Sequence, residues 1–268
     1  MDQAVILARG LGTRMRKQDS AVALDSAQAA AAECGVKAMI PIGRPFLDYV
    51  MTVLADAGCR RVCLVVGPEH GLMRDYYARL QPKRLAIEFA VQVEPRGTAD
   101  AVAAVEAFAG QEPFLVINSD NHYPLEAIRG LRSASGPALA VFDHDAMLAA
   151  SNIPAERIAR FAVVEVDADG CLKRVLEKPD EATLARLPKP LGLSMNCWRF
   201  GPAIFEACRS IAPSPRGELE ITDAVQYTID RLGERFRAIW CTAPVLDLSS
   251  RSDIEPVAKR LADVEVNL

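Results

Sequence analysis

The sequence lacks the long apolar runs and paired cysteines that are typical of membrane proteins and disulfide-rich domains. No apolar run among the 268 residues approaches the roughly 18 residues that a membrane span requires, and the opening acquires charge too early for a secretory signal. The seven cysteines include no CxxC pair, which disfavours a zinc or disulfide framework and favours reduced thiols. We therefore expect a cytoplasmic protein that has no membrane partner.

The chain also has few histidines and only a small net charge. The chain has three histidines and a formal net charge of −4, so bulk electrostatics give no reason to expect a nucleic-acid partner. A local basic patch can nevertheless attract a smaller anion. With 50% hydrophobic residues, the chain is long enough to bury a sizeable core.

Short apolar runs alternate with helical segments along the first half of the chain. The predicted strands are 4–8, 61–67, 85–92, 113–120 and 137–144, and the predicted helices are 25–35, 44–59, 69–80, 98–110 and 124–134. This β-α-β alternation indicates a parallel, doubly wound sheet.

The pattern changes in the second half, where "DADG" predicts a hairpin within 160–179 and therefore antiparallel strands. The elements predicted after it are helices 180–187, 202–210, 218–233 and 251–263 and strands near 191–199 and 235–241. The expected fold class is α/β, a Rossmann-like three-layer α/β/α arrangement with a mostly parallel mixed sheet. No repeat or clear linker interrupts it, so we expect one domain over 1–268.

The stretch "AVILARGLGTRMRK", residues 4–17, places a glycine-rich, basic turn directly after the first strand. Backbone N–H groups at such a turn can bind phosphate. A dinucleotide-binding motif would need a third glycine where Met15 stands, and the P-loop pattern is absent. Two interpretations remain open: a loop that grips a triphosphate with backbone and arginines together, or a tight turn with solvated arginines.

Further motifs follow in a fixed order along the chain. They are "VKAMIPIGRP" (36–45), "VQVEPRGTADAV" (91–102), "VINSDN" (116–121), "EKP" (177–179), "SMN" (194–196), "GELEITDAV" (217–225) and "LDLSS" (246–250). Together with "LARGLGTRM", this set resembles the sugar-nucleotidyltransferase family over nearly the whole chain. "GELEITDAV" is similar to the thymidylyltransferases that act on glucose 1-phosphate, whereas "GTA" is similar to the uridylyl and guanylyl branches.

The resemblance implies a nucleotide site in the first half of the domain, 1–150. Arg14 would neutralise charge at the attacked α-phosphate and Lys37 would contact the phosphates, while Gln92 would read the base edge. The full set of implied nucleotide-binding residues is Leu7, Ala8, Gly10, Gly12, Thr13, Gln92, Gly97 and Thr98. Arg16 is a further, weaker candidate.

The resemblance also implies a metal site and a sugar-phosphate site, the latter mainly in 151–268. Asp120, with Asp247 as its partner, would bind Mg²⁺, because carboxylates suit a hard cation that bridges phosphate oxygens. A simple turn or cap is the competing interpretation of Asp247. The implied substrate-binding residues are Asn121, Glu177, Lys178, Asn196 and Glu218, with Thr222 as a weaker candidate, and ordinary caps and ion pairs are the alternative for this set.

The activity implied by the resemblance is transfer of a nucleotidyl group from a nucleoside triphosphate to a sugar 1-phosphate. The nucleophile is already an ionised phosphate, so neither a general base nor a covalent intermediate is needed. Two alternatives stay open: a catalytically silent nucleotide- or NDP-sugar-binding regulator, and a nucleotidyltransferase for a cyclitol or another non-sugar phosphate. A homo-oligomer also remains open.

Several positions depart from the family pattern. Arg9 replaces a small residue and could add a phosphate contact or crowd the base pocket, and Ser119 replaces a common glycine. The span from Arg16 to Lys37 is longer than usual and would form either a lid or a surface helix. The late W-x-D-x-G-T is reduced to Asp247 with Ser249 and Ser250. His122, next to Asp120, is expected to be either a pocket residue or a structural one.

Overall fold

The computed structural model describes residues 1–19 and 22–268. Its strands are β1 Gln3–Leu7, β2 Arg61–Val66, β3 Ala86–Val91, β4 Phe114–Asn118, β5 Asn121–His122, β6 Ala138–Asp143, β7 Ala162–Val166, β8 Leu172–Leu176, β9 Gly192–Phe200, β10 Arg237–Cys241 and β11 Leu246–Asp247.

The strands are connected by helices that pack on both faces of the sheet. The helices are α1 Thr13–Arg16, α2 Ser26–Cys34, α3 Phe46–Asp56, α4 Gly71–Leu80, α5 Thr98–Ala103, α6 Glu106–Ala109, α7 Leu125–Ser133, α8 His144–Ala150, α9 Ala155–Ile158, α10 Glu181–Arg186, α11 Ala203–Ser210, α12 Ile221–Leu232 and α13 Ile254–Leu261, with 3₁₀ turns at Lys37–Met39 and Arg251–Asp253. Among the described residues, none of these helices is both long and apolar enough to cross a membrane.

The main sheet has the order β10-β6-β9-β4-β1-β2-β3, with the β7–β8 hairpin joined to β9. β1 pairs in parallel with β2 and β4, whereas β9 runs antiparallel between β4 and β6. The predicted three-layer architecture with a mostly parallel mixed sheet is confirmed. The hairpin around "DADG" is also present, with β7 and β8 antiparallel.

Two cores lie on opposite faces of this sheet, because successive strand residues point to opposite sides. In β1, Ile6 joins the core that contains Leu47 and Leu64, while Val5 joins the core that contains Trp198. The apolar runs of the central strands are therefore buried on both faces, as expected for parallel strands covered by helices.

The structure departs from the predicted elements at several places. The single helix predicted over 98–110 is two helices, α5 and α6, separated at Ala104 and Val105. The strand predicted to end at 144 ends one residue earlier, because the Asp143 carboxylate caps α8 by accepting from the Ala146 N–H at 2.8 Å. Neither α8 and α9 nor the two-residue strands β5 and β11 were predicted, since such short segments carry no clear periodicity.

Candidate active site

Two adjoining cavities open where the central parallel strands end at their carboxyl termini, which is where open α/β sheets bind ligands. The larger has a volume of about 560 Å³ and the smaller about 240 Å³. Arg14, Asn118, Asp120 and Asn196 line both, so the two form one continuous site.

Most of the predicted site residues line these cavities. The larger is lined by Leu7, Ala8, Gly10, Gly12, Thr13, Arg14, Lys37, Gln92, Gly97, Thr98, Asp120, Asn196 and Glu218. The smaller adds Asn121, Glu177, Thr222 and Asp247. Lys178 lines neither cavity and is exposed, with a left-handed φ of 45°. Residues from eight separate sequence segments thus converge on one place.

The glycine-rich loop after β1 wraps one end of the larger cavity. Gly12 has a left-handed φ of 60°, and a Cβ there would lie 2.0 Å from the Gly35 carbonyl oxygen, so only glycine allows this close approach. Arg14, which follows in α1, donates to the Ser249 Oγ at 3.2 Å. Arg16 instead donates to the Cys34 carbonyl at 2.9 Å and lines neither of the two cavities, so an assisting role for Arg16 is not supported.

A lysine–aspartate pair lies at the centre of the site. The Lys37 Nζ is 2.5 Å from the Asp120 Oδ2, and both side chains are mostly buried. Lys37 is in the 3₁₀ turn after α2, and Asp120 follows β4. The pair places an ammonium and a carboxylate side by side, with the Arg14 guanidinium facing the same cavity.

Asp247 reaches the site through the short β5–β11 ladder, in which it pairs with Asn121. The Asn121 Nδ2 donates to its Oδ2 at 2.9 Å, and the Arg157 Nη2 lies 3.1 Å from its Oδ1. Burial, followed by the nearby charge of Asp120, raises the pKa of Asp247 to about 6. Two carboxylates are therefore close enough to repel each other.

These two carboxylates fit a divalent cation. Their repulsion is what a hard cation between them would relieve, and the buried Asp247 Oδ1 receives no well-aligned hydrogen bond. In the described part of the chain no group of three or more His, Cys, Asp or Glu side chains could form a complete metal cage. A cation here would need further oxygen ligands from water or from phosphate.

Arg157 lines neither cavity but contacts Asp247, a role that the sequence did not indicate. It lies in the short α9 and forms a two-pronged pair with the Asp253 carboxylate at 3.0 Å, in addition to its contact with Asp247. Asp253 in turn accepts from the backbone N–H groups of Ser249 and Ser250. Arg157 therefore holds the segment that carries Asp247, and no sequence spacing links it to that segment.

Gln92 also lines the larger cavity. Its Nε2 donates to the Gly97 carbonyl at 3.0 Å and to the Asp100 Oδ2 at 2.8 Å, so both amide hydrogens are committed. Among the described residues, no donor contacts its Oε1. Thr98 serves partly as a cap, because its Oγ1 accepts from the Ile221 N–H at 2.9 Å.

Asn196 and His122 differ in their contact with the two cavities, since Asn196 lines both of them. Asn196 has a left-handed φ of 54°, and its Oδ1 accepts from the Trp198 Nε1 at 3.4 Å. His122 lines neither cavity, and burial lowers its pKa to about 4. The structural interpretation of His122 is therefore favoured over the pocket interpretation.

Comparison with known proteins gives consistent matches. A model of the nucleotidyl transferase family matches residues 3–240. The UTP–glucose-1-phosphate uridylyltransferase AglF of Haloferax volcanii is 28% identical over 266 residues, which is 97% of each chain. A glucose-1-phosphate thymidylyltransferase of Streptomyces antibioticus is 32% identical over 232 residues; the match covers 85% of this chain but 57% of that relative.

Solved structures with the same fold match over almost their full length. UDP-glucose pyrophosphorylase in complex with UDP-glucose has a TM-score of 0.73 at 20% identity, with 99% of this chain and 100% of that chain covered. The UTP-bound enzyme of Acinetobacter baumannii has a TM-score of 0.74 at 16% identity, with 99% and 95% covered. At these identities the similarity establishes the fold.

Proposed function

The chain belongs to the nucleotidyl transferase family, and from this premise we propose that it transfers a nucleotidyl group from a nucleoside triphosphate to a sugar 1-phosphate. One observation carries the proposal. Arg14, Lys37 and Asp120, which are far apart in the sequence, line one cavity, and Asp247 lies beside Asp120. The products are an NDP-sugar and pyrophosphate.

The reaction joins two anions, so the site must offset their repulsion and align them. An oxygen of the sugar phosphate attacks the α-phosphorus and forms a new P–O bond, while the bond from that phosphorus to the pyrophosphate oxygen breaks. The Arg14 guanidinium and the Lys37 ammonium stabilise the negative charge on the phosphates. No proton has to be removed from the attacking phosphate oxygen at neutral pH.

Asp120 and Asp247 are the residues that would hold Mg²⁺. Bound there, the ion would supply positive charge that offsets the negative charge of the phosphates. Asn121 and Arg157 orient the Asp247 carboxylate, and the Lys37 ammonium orients the Asp120 carboxylate through their ion pair. The chain itself thus provides both a cationic wall and an anionic metal-binding wall in one cavity.

Gln92 offers one hydrogen-bonding group to the base. Because both of its amide hydrogens are held by Gly97 and Asp100, the group it can offer is the Oε1 acceptor. An acceptor can receive a hydrogen bond from an N–H group on the base edge, such as the ring N–H of uracil, thymine or guanine. The Gly97–Thr98 turn lines the same end of the cavity and would contact that base.

The sugar phosphate is assigned to the smaller cavity. Glu177, Asn121 and Asn196 line it, and Glu218 lines the adjoining part of the larger cavity. Carboxylate and amide groups are suited to hydrogen bonds with sugar hydroxyls. We assign Lys178, which stands outside both cavities in this structure, to the sugar phosphate on the basis of the "EKP" motif alone.

The test is pyrophosphate release over a panel of nucleoside triphosphates and sugar 1-phosphates. Asp120→Asn should reduce turnover by about 100-fold or more, because it removes a metal-binding charge. Asp145→Asn is the matched control, since the Asp145 side chain is 91% exposed and away from the site. Nucleotide binding without turnover on any pair would instead favour a silent regulator, and turnover only with a polyol phosphate would favour the non-sugar alternative.

A further inference from the structure

Arg9 crosses the ends of three neighbouring strands. It follows β1, and its Nη1 is 2.6 Å from the Oε1 of Glu69, which lies just beyond β2. Its Nε donates to the main-chain carbonyl of Gln92, the residue after β3, at 3.1 Å. The Arg9 side chain is only 10% exposed, although Glu69 is largely solvated. One guanidinium therefore connects the β1, β2 and β3 ends of the larger cavity.

Gly67 provides the space for this crossing. A Cβ at Gly67 would lie 2.6 Å from the Arg9 Nε and 2.4 Å from the Glu69 Oε2, so a side chain would displace both partners. The loop between β2 and α4 thus has the shape that the Arg9–Glu69 pair requires.

The backbone N–H, the backbone carbonyl and the side-chain NH2 of Gln92 each have a protein partner. Its backbone N–H donates to the Val66 carbonyl at 2.9 Å, and its amide donates to Gly97 and Asp100. Its carbonyl is bound by the Arg9 Nε. With all these contacts made, the Oε1 of Gln92 has a fixed direction before any nucleotide arrives.

We propose that Arg9 is a positioning residue for the nucleotide base and not a phosphate ligand. It fixes Gln92 and the glycine-rich loop in place. The inference rests on the proposed function. Two of the Arg9 nitrogens are engaged, and the Glu69 carboxylate offsets its charge, which weakens its attraction for phosphate. A planar guanidinium can bind two separate acceptors at once, which an ammonium on a flexible stem does less well.

Preorganisation lowers the cost of ordering a binding group when the ligand binds. Loss of Arg9 should therefore weaken the binding of every triphosphate that Gln92 recognises. Arg14, Lys37 and Asp120 make no contact with Arg9 among the described hydrogen bonds, so the rate of the bound complex should be preserved. The expected signature is a change in KM for the triphosphate without a matching change in kcat.

The experiment compares Arg9→Ala, Arg9→Lys and Glu69→Gln with the unmodified enzyme. Arg9→Ala should raise the KM for the preferred triphosphate about tenfold, the range of one charge-assisted hydrogen bond, and leave kcat and the KM for the sugar phosphate within about twofold. Arg9→Lys and Glu69→Gln should give smaller increases of the same kind, and they replace Arg9→Ala if that variant fails to fold.

Arg74→Ala is the matched control. The Arg74 guanidinium contacts the same β2–α4 loop, through the carbonyls of Gly67 and Pro68, but lines neither cavity. It should leave both kinetic constants unchanged. A fall in kcat at constant KM in the Arg9 variants would show that Arg9 acts on the reacting phosphates and would overturn the inference. A full rise in the triphosphate KM when Arg9→Ala is made in a Gln92→Ala background would overturn it too, because a residue that acts through Gln92 has little left to position there. Unchanged constants in all three would do the same.

Calorimetric titration with the triphosphate alone separates this inference from the proposed function. If the unmodified protein binds nucleotide but releases no pyrophosphate with any acceptor, the proposed function fails. Arg9 is then still tested by the dissociation constant, which should rise about tenfold in Arg9→Ala. An unchanged dissociation constant would refute the positioning role.

Discussion

Replacing Gly97 with alanine should destabilise the protein and separate the Gly97–Thr98 turn from the loop that carries Glu218. Gly97 has a φ of 118°, and a Cβ there would lie 2.4 Å from the Leu219 carbonyl oxygen and 2.6 Å from the Leu219 nitrogen. These are backbone atoms, which cannot rotate away as a side chain can. The loop next to Glu218 would therefore have to move.

The magnitude follows from two contributions. Holding an alanine in a backbone conformation that is open almost only to glycine costs about 2 kcal/mol. Displacing Leu219 also breaks its two backbone hydrogen bonds, one to the Arg96 carbonyl at 2.7 Å and one from the Ala99 N–H at 2.8 Å. At about 1 kcal/mol for each bond, the expected loss of unfolding free energy is about 4 kcal/mol.

Two other glycines supply matched controls. Gly110 has a left-handed φ of 59° but no atom within 4 Å of a Cβ, so Gly110→Ala should cost only the backbone strain, about 2 kcal/mol. Gly136 has neither a left-handed φ nor a close neighbour, so Gly136→Ala should change stability by less than about 1 kcal/mol. The series separates the effect of contact from that of backbone strain.

Urea denaturation of the three variants, combined with the KM values for both substrates, gives the test. Gly97→Ala should be the least stable and should bind both substrates more weakly, because the turn and the Glu218 loop share one wall of the larger cavity. If Gly97→Ala proves as stable as Gly110→Ala, the close approach to Leu219 does not limit the site and the reasoning is refuted.

Two further predictions concern buried charges near the site. Arg157→Met should lower the unfolding free energy by about 3 kcal/mol or more in urea denaturation, since it leaves the carboxylates of Asp247 and Asp253 without their cation, and a stability equal to the unmodified protein would contradict this. Burial lowers the pKa of His70 below 6.5, and its Nδ1 accepts from the Gly67 N–H at 2.8 Å. As the pH falls, the unfolded chain takes up the proton first, so the contribution of His70 to stability is complete above about pH 6.5 and is lost below it. His70→Asn should therefore lose less stability than the unmodified protein between about pH 7.5 and about pH 5.5. Equal losses would reject the assignment of this pH dependence to His70.

The family and the main elements could be predicted from the sequence. The apolar runs of β1, β2 and β4 are local signals, and they were placed within two residues of their observed ends. The predicted resemblance is confirmed by the match over residues 3–240. The convergence of Arg14, Lys37 and Asp120 on one cavity agrees with the implied site, while their individual roles stay proposals.

The direction of β9 could not be predicted in the same way. An alternating strand has the same pattern whether it runs parallel or antiparallel to its neighbours. Its position between β4 and β6 rests on pairing with strands that are distant in the sequence. The helix pair α8 and α9 was missed because elements of seven and four residues give too little periodicity to detect.

The sequence by itself determined the strand–helix alternation, the glycine turns and the presence of phosphate-binding residue types, because these depend on neighbours within a few positions. Only the tertiary structure decided which distant side chains meet. Asn121 and Asp247 are 126 residues apart and touch through a two-residue ladder, and Arg9 reaches Gln92 over 83 residues. Such pairs depend on strand order and register, which bring together positions that no local pattern relates.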